Sequence, residues 1–446
     1  MEVVHFVGAV MVLFDVVMVV ESPAEIEVEH FVDIVAVLIN VVMVVKYATE
    51  MEVEHFVGVV VVYLVAAATQ SYETGEVIDC VDIFKQPTFD HPLLKNYTMQ
   101  LKVEMNRAVL GEKLFQYYMM SKKFRLFYMR PRSNRKANRA RYVERGLSQA
   151  WWKYGECPEG TIPIKRPQNH TNHHVTPLTR RMKRLNSSKN DVNSEDGHEY
   201  AIVSLTDGNY NGARATINLW NPTVVDPDAS FSQIWLAAGP DEDLNTVEAG
   251  WMVNKGGSFT GQAEIFTYWT SDGYNKRGCY NVKCKGFVQT DKDFVLGSAI
   301  QPVSTYDGQQ HDIKVEIKKD MYTGSWVLSI SDMEVGFWPE DLFTHLRGPA
   351  DAIDWGGETG KKVPDGRPTS TQMGSGHFPS EGFGKASYFR NLKFLDDEFN
   401  ERDPENLNTH VTRPECYDLV LNEDPLTTYG VNFFYGGPGI SAQCAN

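Results

Sequence analysis

The sequence predicts a mainly β protein: an antiparallel β-sandwich preceded by a smaller mixed domain and a signal-like apolar N-terminus. Three observations carry this. From Glu199 onward, short runs rich in β-branched and aromatic residues are separated by Gly, Asp, Asn and Pro. No long helical period interrupts them, which is the pattern of a sandwich. At 446 residues the chain exceeds one ordinary core, and 42% apolar content with 20 Tyr, 23 Phe and 9 Trp is enough to fill two folded units.

Taken in order, residues 1–70 repeat at a spacing of 25: MEVVHFVGAV from 1, IEVEHFVDIV from 26, MEVEHFVGVV from 51. The third copy runs on into VVVYLVAAATQS, an apolar run followed by small residues, as in a secretory signal. Its acidic start, Glu52 and Glu54, is unlike a signal, and the earlier apolar runs are short and broken for a membrane span. Two readings compete: a signal from about Met51 with duplicated material before it, or a membrane hairpin or anchor. His5, His30 and His55 recur only because the repeat does. Residues 74–166 are mixed, turn-rich at first and with a short helix expected in RKANRARYVERG. Residues 167–198 lose apolar periodicity and read as an exposed linker, with Arg180-Arg181 and Lys183-Arg184 as cleavage candidates. Residues 199–446 form the sandwich, with strands expected at YAIVSL, ARATINLW, SFSQIWLAA, EAGWMV, AEIFTYWT, GFVQT, HDIKVEIKK, SWVLSIS, VGFWP, ASYFRNLKFL and NFFYG.

Charge and cysteine usage narrow the class. The net charge is −15, which argues against a nucleic-acid protein. Residues 121–184 hold 17 Lys/Arg against 3 Asp/Glu, a net of +14, so the remainder carries −29. A basic arm, an acidic partner or an intramolecular dock explains such a split. Six cysteines permit 15 pairings. Pairing sequence neighbours is the simplest choice: Cys80–Cys157, Cys279–Cys284, Cys416–Cys444. The even count and the sequons at Asn96, Asn169 and Asn186 point to an oxidising, secretory route.

Most catalytic signatures are missing: there is no GxSxG, HExxH or P-loop, and GGETGKK lacks the glycine five residues before Gly360. The HTNHH run reads as solvated linker histidines, so no metal or cofactor is expected. Carboxylate chemistry remains. In LNTVEAGWMV, Glu248 is one acid among apolar and small residues, and in IDWGGETG, Glu358 follows Trp355 and two glycines. The plain interpretation makes Glu248 a solvent-facing strand residue and Glu358 a loop acid. The sharper one lets Trp251 and Trp355 desolvate the two carboxylates and raise their pKa values. Two such groups across a cleft share one proton and supply an acid and a base together.

Long ordered blocks then carry a resemblance. IDCVDIFKQPTFDHPLLKN and WWKYGECPEGTIPIKR, with Cys80 and Cys157, resemble the activation peptide of the neprosin family, the plant secreted glutamic peptidases. HEYAIVSL, SFSQIWL, LNTVEAGWMV, IFTYWTSDGY, GCYNVKCKGFVQT, IDWGGE, PDGRPTSTQMGSGHFPSEGFGKASYFRNLKFL and FFYGGPG resemble its catalytic domain. The resemblance covers nearly everything after residue 74; the N-terminal repeat departs from it. It implies secretion as a zymogen to the extracellular space or cell wall, with the vacuole as an alternative. It also implies removal of the front half, activity in acid, cleavage next to proline in the characterised member, and a catalytic pair at Glu248 and Glu358. Trp235, Trp251, Trp269 and Trp355 are candidate walls of a proline-accepting cleft, and Gln233 and Gln372 candidate polar partners. The partners expected are a peptide substrate and the chain's own front half as inhibitor, with no nucleic acid and no stable membrane association. Two rivals use the same residues: a β-sandwich that binds wall polysaccharide through aromatic faces, and a glycoside hydrolase with two carboxylates.

Overall fold

The computed structural model describes residues 69–71, 76–94, 136–144, 146–158, 160–166, 197–256, 259–283 and 285–444, with backbone alone at 69–71 and 136–138. The N-terminal repeat, all three sequons, the dibasic pairs and Cys284 lie outside these residues.

The front part contains β1 (Thr69–Ser71), β2 (Glu76–Asp82), helix α1 (Lys136–Glu144), β3 (Ser148–Gln149) and β4 (Thr161–Lys165). The helix lies where RKANRARYVERG predicts one. β1, β2 and β4 make a small antiparallel sheet, and the Cys80–Cys157 disulfide, with S–S 2.06 Å, ties β2 to the segment ahead of β4.

Seventeen further strands follow: β5 (His198–Tyr210), β6 (Gly212–Asn218), β7 (Ala229–Ala238), β8 (Asn245–Asn254), β9 (Glu264–Thr270), β10 (Gly278–Tyr280), β11 (Val288–Gln289), β12 (Ile300–Gln301), β13 (Asp312–Lys319), β14 (Trp326–Ile330), β15 (Met333–Trp338), β16 (Ala350–Gly360), β17 (Ser387–Leu395), β18 (Glu401–Arg402), β19 (Asn408–Val411), β20 (Asp418–Asn422) and β21 (Asn432–Gly436). Among the described residues β12 pairs with β3, and the other sixteen form two sheets, the first a seven-stranded sheet, β10-β9-β8-β7-β16-β5-β19. A nine-stranded sheet runs β11-β15-β14-β13-β6-β17-β21-β20, with β18 on β17.

The two sheets stack because each strand turns alternate side chains inward. Ala213, Ala215 and Ile217 of β6 and Ile313, Val315 and Ile317 of β13 meet Val247, Ala249, Trp251, Ile234, Ile353 and Trp355 from the first sheet in one core cluster. On β13 the alternate residues Lys314, Glu316 and Lys318 face outward. By contrast, β7, β8 and β9 are buried along their whole length. The first sheet therefore has a second buried face, and the candidate site lies there. Cys416 and Cys444 are joined, and Cys279 is also disulfide-bonded.

Pattern alone misplaces two segments. Glu358 lies in the eleven-residue strand β16 rather than a loop, hydrogen-bonded between β5 and β7. Glycines are poor strand formers, but here the neighbours demand them: a Cβ on Gly356 would come 2.3 Å from the Ala201 carbonyl oxygen. Likewise His198, counted with the linker, opens β5.

Candidate active site

Strand parity builds the site. Trp235 of β7 lies opposite Glu248 of β8 and Asp354 of β16, and Phe231 lies opposite Glu358. All five therefore share one face of the sheet. Gln233 sits between the two rows, opposite Gly250 on one side and Gly356 on the other. Glu248 and Glu358 are thus diagonal neighbours of Gln233 on opposite sides. Gly250 and Gly356, directly opposite Gln233, leave the face bare between the carboxylates.

Both glutamates are fully buried, yet their surroundings differ. Glu358 meets a partner at each oxygen: the His198 ring nitrogen Nδ1 lies 2.6 Å from Oε1, and Gln233 Nε2 donates to Oε2 at 3.0 Å. His198 stands opposite Gly360, two residues beyond Glu358, and Gly360 leaves it room to reach across. Glu248 accepts from Thr246 Oγ1 and from the Tyr274 hydroxyl, both at 2.6 Å and both at Oε1. Its buried Oε2 has no partner among the described residues.

Burial pushes the Glu248 carboxyl up to about 8; the Thr246 and Tyr274 hydrogen bonds hold it back, and the charges of Glu358 and Asp354 add to the rise. At neutral pH Glu248 therefore favours its neutral form with an open oxygen, while Glu358 has a partner at each oxygen. Tyr268 and Tyr280 complete the face: burial raises both phenols, helped by the Glu248 charge, so their hydroxyls stay protonated. Ser204 Oγ donates to Asp354.

This geometry belongs to a chain that matches two family models: Neprosin over residues 226–438 and Neprosin activation peptide over residues 69–204. The chain belongs to the neprosin family. It carries that family's activation peptide ahead of the neprosin region, which is the organisation of a peptidase precursor.

Several solved structures are similar at low levels. A scytalido-glutamic peptidase bound to a transition-state analogue is 10% identical; the match covers 55% of this chain and 98% of that one, with TM-score 0.29. SCP-B, an eqolisin-family peptidase, is 9% identical over 55% and 98%, TM-score 0.28, and a chicken liver agglutinin 8% over 36% and 92%, TM-score 0.20. Likeness at these TM-scores decides neither fold nor function.

Among the residues singled out in this neprosin-family sequence, the structure gathers Glu248, Glu358, Gln233 and Trp235 on one face. It does not bring Trp251, Trp269 or Trp355 there. Those three belong to the core between the sheets, and the Trp251 indole donates to the Asn218 carbonyl at 2.9 Å. They cannot wall a cleft or desolvate the carboxylates. Gln372 is also elsewhere: its side-chain oxygen accepts from the Thr223 amide at 2.8 Å. Burial of Glu248 comes instead with Tyr268 beside it on β9 and Tyr274. His198, Thr246, Tyr268, Tyr274, Tyr280 and Asp354 were missed. Counting in twos from Glu248 would have found Thr246, but Tyr274 and His198 arrive from a turn and a strand end, which carry no periodic signal.

The front half docks through backbone-like contacts. β3 pairs with β12, and Gln86 and Gln149 each bond both backbone groups of one residue: Gln289 at 2.9 and 2.9 Å, Val295 at 2.8 and 2.9 Å. Tyr142 of α1 donates to Asp291 at 2.9 Å and Arg139 meets Asp293 at 3.1 Å. Every one of these contacts falls on the segment 289–301.

Proposed function

We propose that this protein is a secreted glutamic endopeptidase, made as a zymogen whose front half covers and inhibits a site centred on Glu248 and Glu358. The observation that carries the reading is the unequal hydrogen bonding of two buried acids across a glycine-flanked gap. Glu358, with a partner at each oxygen, is set up to be the ionised member. It takes a proton from a water as that water attacks the scissile carbonyl. Glu248 holds the shared proton, and its open Oε2 hydrogen-bonds the carbonyl oxygen as charge develops there, then protonates the leaving nitrogen. His198 and Gln233 hold Glu358 in place, and the protonated Tyr268 and Tyr280 hydroxyls add donors rather than negative charge. Every step is carried by water and carboxyl groups, so no acyl-enzyme forms and serine or cysteine reagents leave the activity intact. Cleavage next to proline is part of the proposal and rests on the family resemblance.

The polysaccharide-binding rival calls for exposed aromatic faces. Trp220, Trp235, Trp251, Trp269, Trp326, Trp338 and Trp355 are all buried in the precursor, whereas Tyr306, Tyr322, Phe383 and Tyr429 are exposed.

The test is direct. Acid-processed protein incubated with a proline-rich peptide should release fragments and leave glycans intact. Glu248→Gln and Glu358→Gln should each lower kcat by roughly 100-fold or more while the fold persists. Near-normal peptide cleavage by either variant rejects the pair; release of sugars instead of peptides rejects the reaction class.

A further inference from the structure

Near the end of β4, the last strand of the front half, Lys165 is buried, with 7% of its side chain exposed. Its ammonium donates to the Gly297 carbonyl at 2.7 Å and lies 3.0 Å from Glu76 and 3.7 Å from Glu264. Glu76 belongs to the front half and is held in turn by Ser298 Oγ at 2.7 Å. Glu264 belongs to β9 and is fully buried. Its Oε2 accepts from Thr260 Oγ1 at 3.3 Å, and its buried Oε1 has no partner among the described residues. An apolar side chain would fill this space without the cost of burying an ammonium and two carboxylates. The charge is therefore unexplained by packing alone.

Register places Glu264 on the face of the candidate site. It lies opposite Met252, Met252 opposite Phe231, and Phe231 opposite Glu358. From Gln233, between the two catalytic candidates, Glu264 is two strands across and two residues along. That is ~12 Å, the reach of about three to four residues of extended peptide.

We propose that Glu264 and the Gly297 carbonyl form a cation-binding subsite of the substrate groove, filled in the precursor by Lys165 and taken over after processing by a lysine side chain of the peptide substrate. This rests on Glu248 and Glu358 being the catalytic pair. When the front half leaves, Glu76 and Lys165 leave with it, and the carboxylate and carbonyl stay on the sandwich. Lys283, whose ammonium lies 3.4 Å over the Phe259 ring, also acts on Glu264 and competes for it.

The experiment uses processed protein and peptides with one fixed scissile site, paired so that each of the five positions on either side carries lysine or its uncharged isostere norleucine. One position, three or four residues from the cut, should favour lysine roughly tenfold in kcat/KM, the worth of one charged hydrogen bond. Glu264→Gln should bring that ratio to near one, and Lys283→Met should increase it. No lysine preference at any position in the unsubstituted protein, or a preference that persists in Glu264→Gln, overturns the proposal. Should Glu264→Gln fail to fold, the peptide panel and Lys283→Met decide. Failure of the underlying reading looks different: no peptide is cut, or Glu248→Gln and Glu358→Gln cut as well as the parent.

Discussion

Glu248 and Glu358 are the same residue type on one sheet, yet their hydrogen-bonding surroundings differ. Thr246 and Tyr274 both spend their hydrogen bonds on one oxygen of Glu248, which leaves the other without a partner in a water-poor site. The consequence for stability has a definite sign. Glu248 keeps its proton to about 8 in the fold against an ordinary value of 4.5. Between those values the folded chain binds a proton that the unfolded chain has lost, so stability is full below about 4.5 and falls as pH rises to about 8. Glu248→Gln removes this penalty. The variant should resist denaturant better than its parent at pH 8, by up to several kcal/mol, and match it near pH 4.5. Denaturant midpoints at the two pH values check this; equal midpoints at pH 8 would mean the carboxyl is solvated. The proposed acid role has the same sign: activity should fall as Glu248 loses its proton. Uncovering the face weakens the desolvation, so in processed protein that limb lies below 8.

At the scale of the strand, parity decides what each residue can do. Sheet content was legible because β6 and β13 alternate cleanly between apolar and polar residues, and the pair of glutamates was legible from the family blocks around them. The walls of the site were not. Trp251 lies three residues after Glu248 and Trp355 three before Glu358, and an odd offset in a strand points to the opposite face. Proximity in sequence suggested a cleft where the geometry made a core. β16 was hidden for a different reason: its two glycines resemble a turn, and only the neighbouring chains reveal why they are needed. Gly250 shows the same demand on β8. A Cβ there would come 2.0 Å from the Ser232 carbonyl oxygen and 2.6 Å from the Gln233 Cα, so β7 and β8 would have to part. Gly250→Ala should cost about 1–3 kcal/mol by overpacking. It should also cost on the order of 100-fold in kcat, because it shifts Gln233 relative to both carboxylates. Ala249→Gly, one residue away but facing the core, loses a methyl group and should lower the melting temperature with kcat nearly intact. Equal kinetic losses in both variants would show that the glycine matters only for folding.

For the whole molecule the question is what acid does to the dock between the two halves. The uneven charge, +14 on residues 121–184 against −29 elsewhere, suggests that protonating carboxylates would loosen it. Burial of the carboxyls at the dock adds an opposing effect on the fold. Asp291, which receives the Tyr142 hydroxyl, is raised by burial to about 6, with Asp293 adding to the rise and its hydrogen bonds opposing it. Asp293 is itself raised, again by burial first, although Arg139 opposes the shift. A carboxyl group whose pKa is raised in the folded precursor takes up a proton on folding. Its contribution is complete below the ordinary 3.8 and lost as pH climbs through about 6. Acidification from neutral pH thus stabilises the folded precursor at Asp291, while the Tyr142 hydrogen bond from the front half itself favours the ionised carboxyl. The proposed processing, cutting within residues 167–196, would release the front half without relying on this carboxyl. Asp291→Asn tests this in an uncut precursor. The amide can still accept from Tyr142 but never carries charge. At pH 7.5 it should raise the melting temperature, by the equivalent of about 1–3 kcal/mol, and near pH 4 the two precursors should melt together. A precursor that melts earlier at pH 5 than at pH 7.5, with Asp291→Asn abolishing that loss, would instead make Asp291 the acid trigger itself.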